Sequence, residues 1–127
     1  MNGRQRVGGR LRGLRVLIAE DDYSTAHMLS VRLEEEGARV VGPAGSLRKA
    51  CELLGSEAVD FAVIDIILRD VPADMLLGKM AEQGVPHAVI TGYGALPTNA
   101  PDSALRVFSK PIPWESLVEL LLPFARN

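Results

Sequence analysis

The sequence predicts an α/β fold: a doubly wound, five-stranded parallel sheet of strand order 2-1-3-4-5, with helices on both faces. Three observations predict it. Short apolar runs alternate five times with helical patterns, as βα repeats require. The runs are continuous rather than alternating, which suits strands covered on both faces. Acidic and polar residues close the runs, and right-handed crossovers put every strand's C-terminal end on one edge. In that strand order the topological switch point lies between the first and third strands, where ligands usually bind.

The first strand is Val16-Leu17-Ile18-Ala19, followed by Glu20-Asp21-Asp22. Ala26, Leu29, Ser30 and Leu33 share helical spacing, and Gly37 stops that helix. Arg39–Val41 is the second strand. Ser46 is an N-cap for a helix over Leu47–Leu54 that Gly55 ends. Phe61–Ile64 is the third strand, preceded by Asp60 as a turn residue. Pro72 suits the first turn of a helix carrying Met75, Leu76 and Met80, with Met75 and Met80 both read as core. That helix ends near Gly84, and His87–Ile90 is the fourth strand. The stretch 93–102 holds two prolines and a glycine, which predicts a short or irregular fourth helix. Leu105–Phe108 is the fifth strand, and Pro113 opens a last helix with Leu117, Leu120, Leu121 and Phe124.

The 127 residues suit one domain, and 47% apolar content can fill its core without disulfides. The formal net charge of −2 forces neither nucleic-acid nor membrane binding. It hides an asymmetry: residues 1–13 carry Arg4, Arg6, Arg10 and Arg12 and no acid, while 14–127 hold 10 basic and 16 acidic residues, a net of −6. Residues 1–13 read as a flexible basic tail, or alternatively as an electrostatic contact for an acidic partner. The domain proper is expected over 14–127, with no second domain, hence no direct DNA binding. Cys51 is the single cysteine, so no internal disulfide forms, in keeping with a cytoplasmic location. No apolar run approaches the ~20 residues of a membrane span, and the opening residues are no secretory signal.

The chemistry sits at the strand ends. Glu20 and Asp21 follow the first strand, Asp65 the third, Thr91 the fourth and Lys110 the fifth. In the expected fold these loops meet, and three crowded carboxylates need a counter-charge. A hard divalent cation, Mg²⁺, provides it with about six oxygen ligands. Asp21 and Asp65 are expected as direct ligands, Glu20 directly or through water, and the backbone carbonyl of Ile67 as a further oxygen. Phosphoryl transfer to a carboxylate suits such a site, because its loose transition state needs positioning and charge neutralisation above all. Asp65 would be the nucleophile, already ionised at neutral pH. Lys110 would neutralise one phosphoryl oxygen and the Thr91 hydroxyl would bind another. Asp22 reads better as a helix N-cap than as a ligand. His27 and His87 have no partner at ligand spacing, and Cys51 reads as a small core residue.

Val16-Leu17-Ile18-Ala19-Glu20-Asp21-Asp22, Asp60-Phe-Ala-Val-Ile-Asp65, Ile90-Thr91-Gly92 and Ser109-Lys110-Pro111 together resemble the response-regulator receiver family, the CheY-like domains, over residues 14–126. The resemblance implies a flavodoxin-like, CheY-like fold and a Mg²⁺-dependent phosphoacceptor rather than an enzyme acting on outside substrates. It implies that Asp65 is the phosphoacceptor, Glu20 and Asp21 the acid pair, Thr91 the switch hydroxyl, Lys110 the site lysine, and Lys110–Pro111 a cis bond. A sensor histidine kinase or a histidine phosphotransferase would donate the phosphoryl group. Output would pass by protein contact to an unidentified downstream protein, or the chain would act as a phosphate sink. The alternative is a phosphorylation-independent interaction module on the same fold.

Three departures from the family pattern stand out. Val107 occupies the place of the usual switch aromatic. The segment Ile66-Ile67-Leu68-Arg69-Asp70-Val71-Pro72 lacks the usual Pro and Asp-Gly, and the fourth helix looks degraded. Thr91-Gly92-Tyr93 is similar to a single-domain subgroup with a Thr-Gly-Tyr loop after strand 4. Tyr93 is then either the displaced switch aromatic or a half-buried loop aromatic. Other chemistries fit less well. A haloacid-dehalogenase-like enzyme wants a second Asp where Ile67 stands, and three acids after the first strand would repel FMN.

Overall fold

A computed structural model describes residues 9–92 and 101–125. The elements run β1 (Arg15–Ala19), α1 (Tyr23–Glu35), β2 (Arg39–Ala44), α2 (Leu47–Ser56), β3 (Phe61–Asp65), α3 (Ala73–Gln83), β4 (His87–Thr91), β5 (Arg106–Ser109) and α4 (Trp114–Leu121). A 3₁₀ turn over Leu122–Phe124 follows. The sheet order is β2-β1-β3-β4-β5 and every pairing is parallel, as the sequence predicts. Among the described residues, 101–105 form turns and no helix stands between β4 and β5. Tyr93 lies outside the described residues. No helix among them is long and apolar enough to cross a membrane.

Two cores explain why the central strands β1, β3 and β4 read as unbroken apolar runs. Successive strand side chains point to opposite faces. Val16, Ile18, Phe61, Val63, Ala88, Ile90 and Phe108 pack with Leu29 and Leu33 of α1 and Leu117, Val118 and Leu121 of α4. Leu17, Ala19, Ala62 and Ile64 face the other way, onto α2 and α3. Helix ends follow local chemistry. Asp22 caps α1, its carboxylate accepting from the Thr25 amide at 3.0 Å and hydroxyl at 2.6 Å. Ser46 caps α2 by accepting from the Lys49 amide at 3.1 Å. Gly84, in left-handed conformation, closes α3.

β2 bends where the site needs it. Gly42 has φ +97°, and a Cβ there would lie 2.7 Å from the Ala44 nitrogen. The Gly42–Pro43 and Lys110–Pro111 bonds are both cis. A register shift opposite Leu17–Ala19 brings the Ala44 carbonyl to accept from the Glu20 amide at 2.8 Å. The β1 ladder thus extends to the first acid of the cluster.

Two expectations need correction. Residues 9–13 are no flexible tail. Leu11 is fully buried and packs into the α1–α4 core with Leu14. The Leu11 and Gly13 amides donate to the Glu36 and Gly37 carbonyls. Arg10 forks onto Glu36, just after α1, and bonds Glu115 of α4 at 2.9 Å. Burying leucine outweighs solvating the arginines, because Arg10 finds carboxylates where it lands. Residues 1–8 lie outside the described residues. Met75 is also not core: it is 45% exposed while Met80 is buried. The inward face of α3 is Leu76 and Met80, four residues apart, and Met75 sits one residue off that stripe.

The Arg10 clamp has a pH signature. Glu36 is held below the usual carboxylate range, first by the side-chain hydrogen bonds from Arg10. A depressed carboxylate contributes stability above its unfolded value, lost as pH falls through its folded one. Arg10→Gln should therefore cost about 1 kcal/mol at neutral pH, the scale of a half-exposed pair. Urea melts should show the gap between wild type and variant closing as pH drops below about 4.

Candidate functional site

The C-terminal edge of the sheet gathers the predicted residues. Glu20 follows β1, Asp65 ends β3, Thr91 ends β4, and Lys110 follows β5. Among the described residues, one group of acids has metal-holding geometry. Single carboxylate oxygens of Glu20, Asp21 and Asp65 all lie within 4.8 Å of one another. Glu20 and Asp65 are buried and Asp21 is exposed, so the cluster opens to solvent on one side.

Lys110 is drawn into this cluster. Its Nζ lies 3.1 Å from Glu20 Oε1 and 3.3 Å from Asp65 Oδ2. The contact with Asp65 is a hydrogen bond. The contact with Glu20 is an ion pair without hydrogen-bond alignment, and Oε1 stays without any hydrogen bond although fully buried. The other Glu20 oxygen accepts from the Asp22 amide at 2.9 Å. Burial pushes the Glu20 carboxyl well above the usual range, and the nearby Asp65 pushes the same way; Lys110 and the Asp22 amide only partly oppose them. Burial pulls the Lys110 ammonium down, but Glu20 and Asp65 outweigh it and raise it overall. One ammonium does not balance three carboxylates.

The turn after β3 is folded back onto Asp65. The Ile67 amide donates to Asp65 Oδ1 at 2.9 Å, which holds the Ile66–Ile67 peptide against Asp65. Leu68 and Val71 pin this turn into the α2–α3 core. The Thr91 hydroxyl is buried and turned toward β5. It makes only long contacts there, 3.4 Å to the Phe108 carbonyl and 3.5 Å to the Ser109 hydroxyl. Such bonds sit at the weak limit of hydrogen-bond geometry, so the hydroxyl is loosely held. The residues expected at the site are thus brought to one edge, except Tyr93, which lies outside the described residues.

The donor set fits a hard divalent cation. It is all oxygen, it carries excess negative charge, and it contains a buried carboxylate oxygen with no hydrogen bond. These are the demands of Mg²⁺ rather than of a softer metal. Glu20, Asp21 and Asp65 would hold the ion.

Sequence reasoning missed two contacts. Asp60 is more than a turn residue: it accepts from the Arg15 amide at 2.8 Å and from the Arg15 guanidinium at 3.1 Å, fixing the start of β1 against β3. Asp70 reaches back to α2, accepting from the Leu47 amide at 2.7 Å and the Arg48 amide at 3.0 Å.

No family model matches the chain. Over 121 residues it is 31% identical to the sensor protein TorS of Escherichia coli (strain K12), covering 88% of this chain. The chain spans only 13% of the length of that curated relative. Solved structures align over nearly the whole molecule. A CheY-like response-regulator receiver domain from Methanospirillum hungatei JF-1 is 26% identical with a TM-score of 0.71, covering 86% of this chain and 90% of that one. The receiver domain of a sensor histidine kinase from Pseudomonas aeruginosa PAO1 has a TM-score of 0.75 at 17% identity, covering 88% and 97%. That domain has a magnesium ion coordinated in its active-site cleft. A Francisella response-regulator receiver domain scores 0.71 at 21% identity, covering 87% and 98%. The fold is therefore that of two-component receiver domains.

Proposed function

We propose that this chain is a single-domain response-regulator receiver, cytoplasmic, taking a phosphoryl group onto Asp65 in a Mg²⁺-dependent reaction. The observation that carries the reading is the trio Glu20, Asp21 and Asp65, oxygens within 4.8 Å, with Lys110 against two of them. The receiver fold of its structural neighbours supports the same reading. The donor would be a phosphohistidine on a sensor histidine kinase or histidine phosphotransferase. The chain would hand on its state by protein contact, or drain phosphoryl groups as a sink.

Each residue has a defined task. An Asp65 carboxylate oxygen attacks phosphorus in line, forming the P–O bond as the P–N bond to the donor imidazole breaks. The nitrogen keeps the electron pair and takes up a proton from solvent. Glu20, Asp21 and Asp65 would hold the ion, with the Ile67 carbonyl as a further oxygen, and bound Mg²⁺ would supply positive charge to offset the developing phosphoryl charge. Lys110 Nζ leaves its contact with Glu20 free to meet a second phosphoryl oxygen. Thr91 exchanges its long contacts at β5 for a short bond to the third. That movement, loading one hydroxyl toward the site, is a local event able to bias a two-state surface. On the Thr-Gly-Tyr likeness alone, Tyr93, which lies outside the described residues, is the candidate aromatic to report it.

Incubation with acetyl phosphate and Mg²⁺, read by intact mass, tests this function. One phosphoryl adduct is expected, absent when EDTA replaces Mg²⁺. An adduct that ignores EDTA rejects the metal-dependent reading. No adduct under any condition, with partner binding intact, favours an interaction module that needs no phosphorylation.

A further inference from the structure

The turn between β3 and α3 carries the Ile67 carbonyl, and Asp70 ties that turn to a different element. Its two carboxylate oxygens take the Leu47 and Arg48 amides, the first two of α2. Ser46 takes the third, the Lys49 amide. A helix start leaves such amides unpaired, and here a carboxylate from 23 residues away completes the set. The bonds hold Asp70 below the usual carboxylate range, the Leu47 amide first among them. Between Asp70 and Asp65 the chain has few ways to move. Leu68 is buried among α2 and α3 residues, its amide bonds the Asp65 carbonyl at 3.3 Å, and the Ile67 amide bonds Asp65 Oδ1.

We infer that Asp70 is a positioning residue of the metal site: by clamping the β3–α3 turn to the start of α2, it sets where the Ile67 carbonyl stands. This inference rests on the proposed Mg²⁺ site and names a residue outside it that governs its affinity. Residues that orient metal ligands from behind typically change affinity 10- to 100-fold when removed. Released from α2, the turn would keep its Leu68 and Val71 anchors but let the carbonyl shift from its place, and the ion would lose a well-placed ligand.

Mg²⁺ titration calorimetry on the full chain tests it, alongside thermal melts. Asp70→Ala is expected to weaken Mg²⁺ binding about tenfold. Asp70→Asn keeps one acceptor oxygen and should fall between wild type and the alanine variant. Two controls separate positioning from other causes. Ser46→Ala removes a cap from the same helix without touching the turn, and should lower the melting temperature while leaving Mg²⁺ affinity unchanged. Asp74→Asn removes an exposed charge from the groove that Asp65 and Asp70 also line, and should leave Mg²⁺ affinity within about twofold. If Asp70→Ala does not fold, Asp70→Asn decides. Wild-type affinity in the Asp70 variants overturns the inference, as does an equal loss in Ser46→Ala or Asp74→Asn. Failure of the wild type to bind Mg²⁺ would instead overturn the proposed site itself.

Discussion

Asp65→Asn is expected to abolish phosphoryl uptake while leaving the protein folded. The amide keeps the shape of the carboxylate, and its oxygen can still accept from the Ile67 amide, which lies 2.9 Å from Asp65 Oδ1. It has no anionic oxygen to attack phosphorus. A loss of at least ~1,000-fold in rate, about 4 kcal/mol of barrier, should appear in acetyl phosphate time courses. Stability should move the other way. Asp65 pushes the buried Glu20 carboxyl upward, so neutralising it relieves repulsion. Lys110 still has Glu20 at 3.1 Å as counter-ion. The metal-free melting temperature should therefore not fall, and Mg²⁺ should no longer raise it as it raises that of the wild type. Full uptake by the variant would show that another residue accepts the group.

Lys110→Ala should be the most damaging change to the metal-free protein. Lys110 stands between two carboxylates whose side chains are 0% and 3% exposed. Removing one partner of a buried ion pair leaves an uncompensated charge, which costs about 3 kcal/mol at the low end. The low end applies because the cluster opens to solvent at Asp21 and Glu20 can take up a proton. Saturating Mg²⁺ should restore part of the loss, since a cation then replaces a cation. The phosphorylation rate should still fall about 100-fold, the scale for losing one charged donor to a developing oxyanion. Lys110→Arg should not rescue the rate, because a planar fork cannot serve as the compact point charge that fits between Glu20 and Asp65. Melts with and without Mg²⁺, read beside single-turnover rates, check all three expectations.

The central strands β1, β3 and β4 were legible in the sequence because both of their faces are covered, so Val16 through Ala19 must be apolar at every position. The acid cluster was legible because parallel topology leaves little freedom: whatever follows β1 and β3 meets at one edge. The expectation for the stretch 93–102 falls mostly outside the described residues; Pro101 at its end leads into the turns seen over 101–105. What the sequence hid is non-local. Arg10 and Leu11 read as a solvated tail because composition says nothing about where Glu36 and Glu115 stand. The available signal was Leu11 and Leu14, one turn apart among arginines. Met75 was lost to a rotation of one residue on α3, which short amphipathic patterns do not resolve. Asp70 could not be read at all, since its partners are backbone amides that carry no sequence label.

Reductive trapping tests the central claim most directly. Borohydride converts an aspartyl phosphate to homoserine, which marks the acceptor for peptide mass mapping. After acetyl phosphate and Mg²⁺, homoserine at residue 65 alone is expected, with none when EDTA is present. Homoserine at Asp21 or any other acid, or equal labelling without the ion, would contradict a metal-assisted acceptor at Asp65.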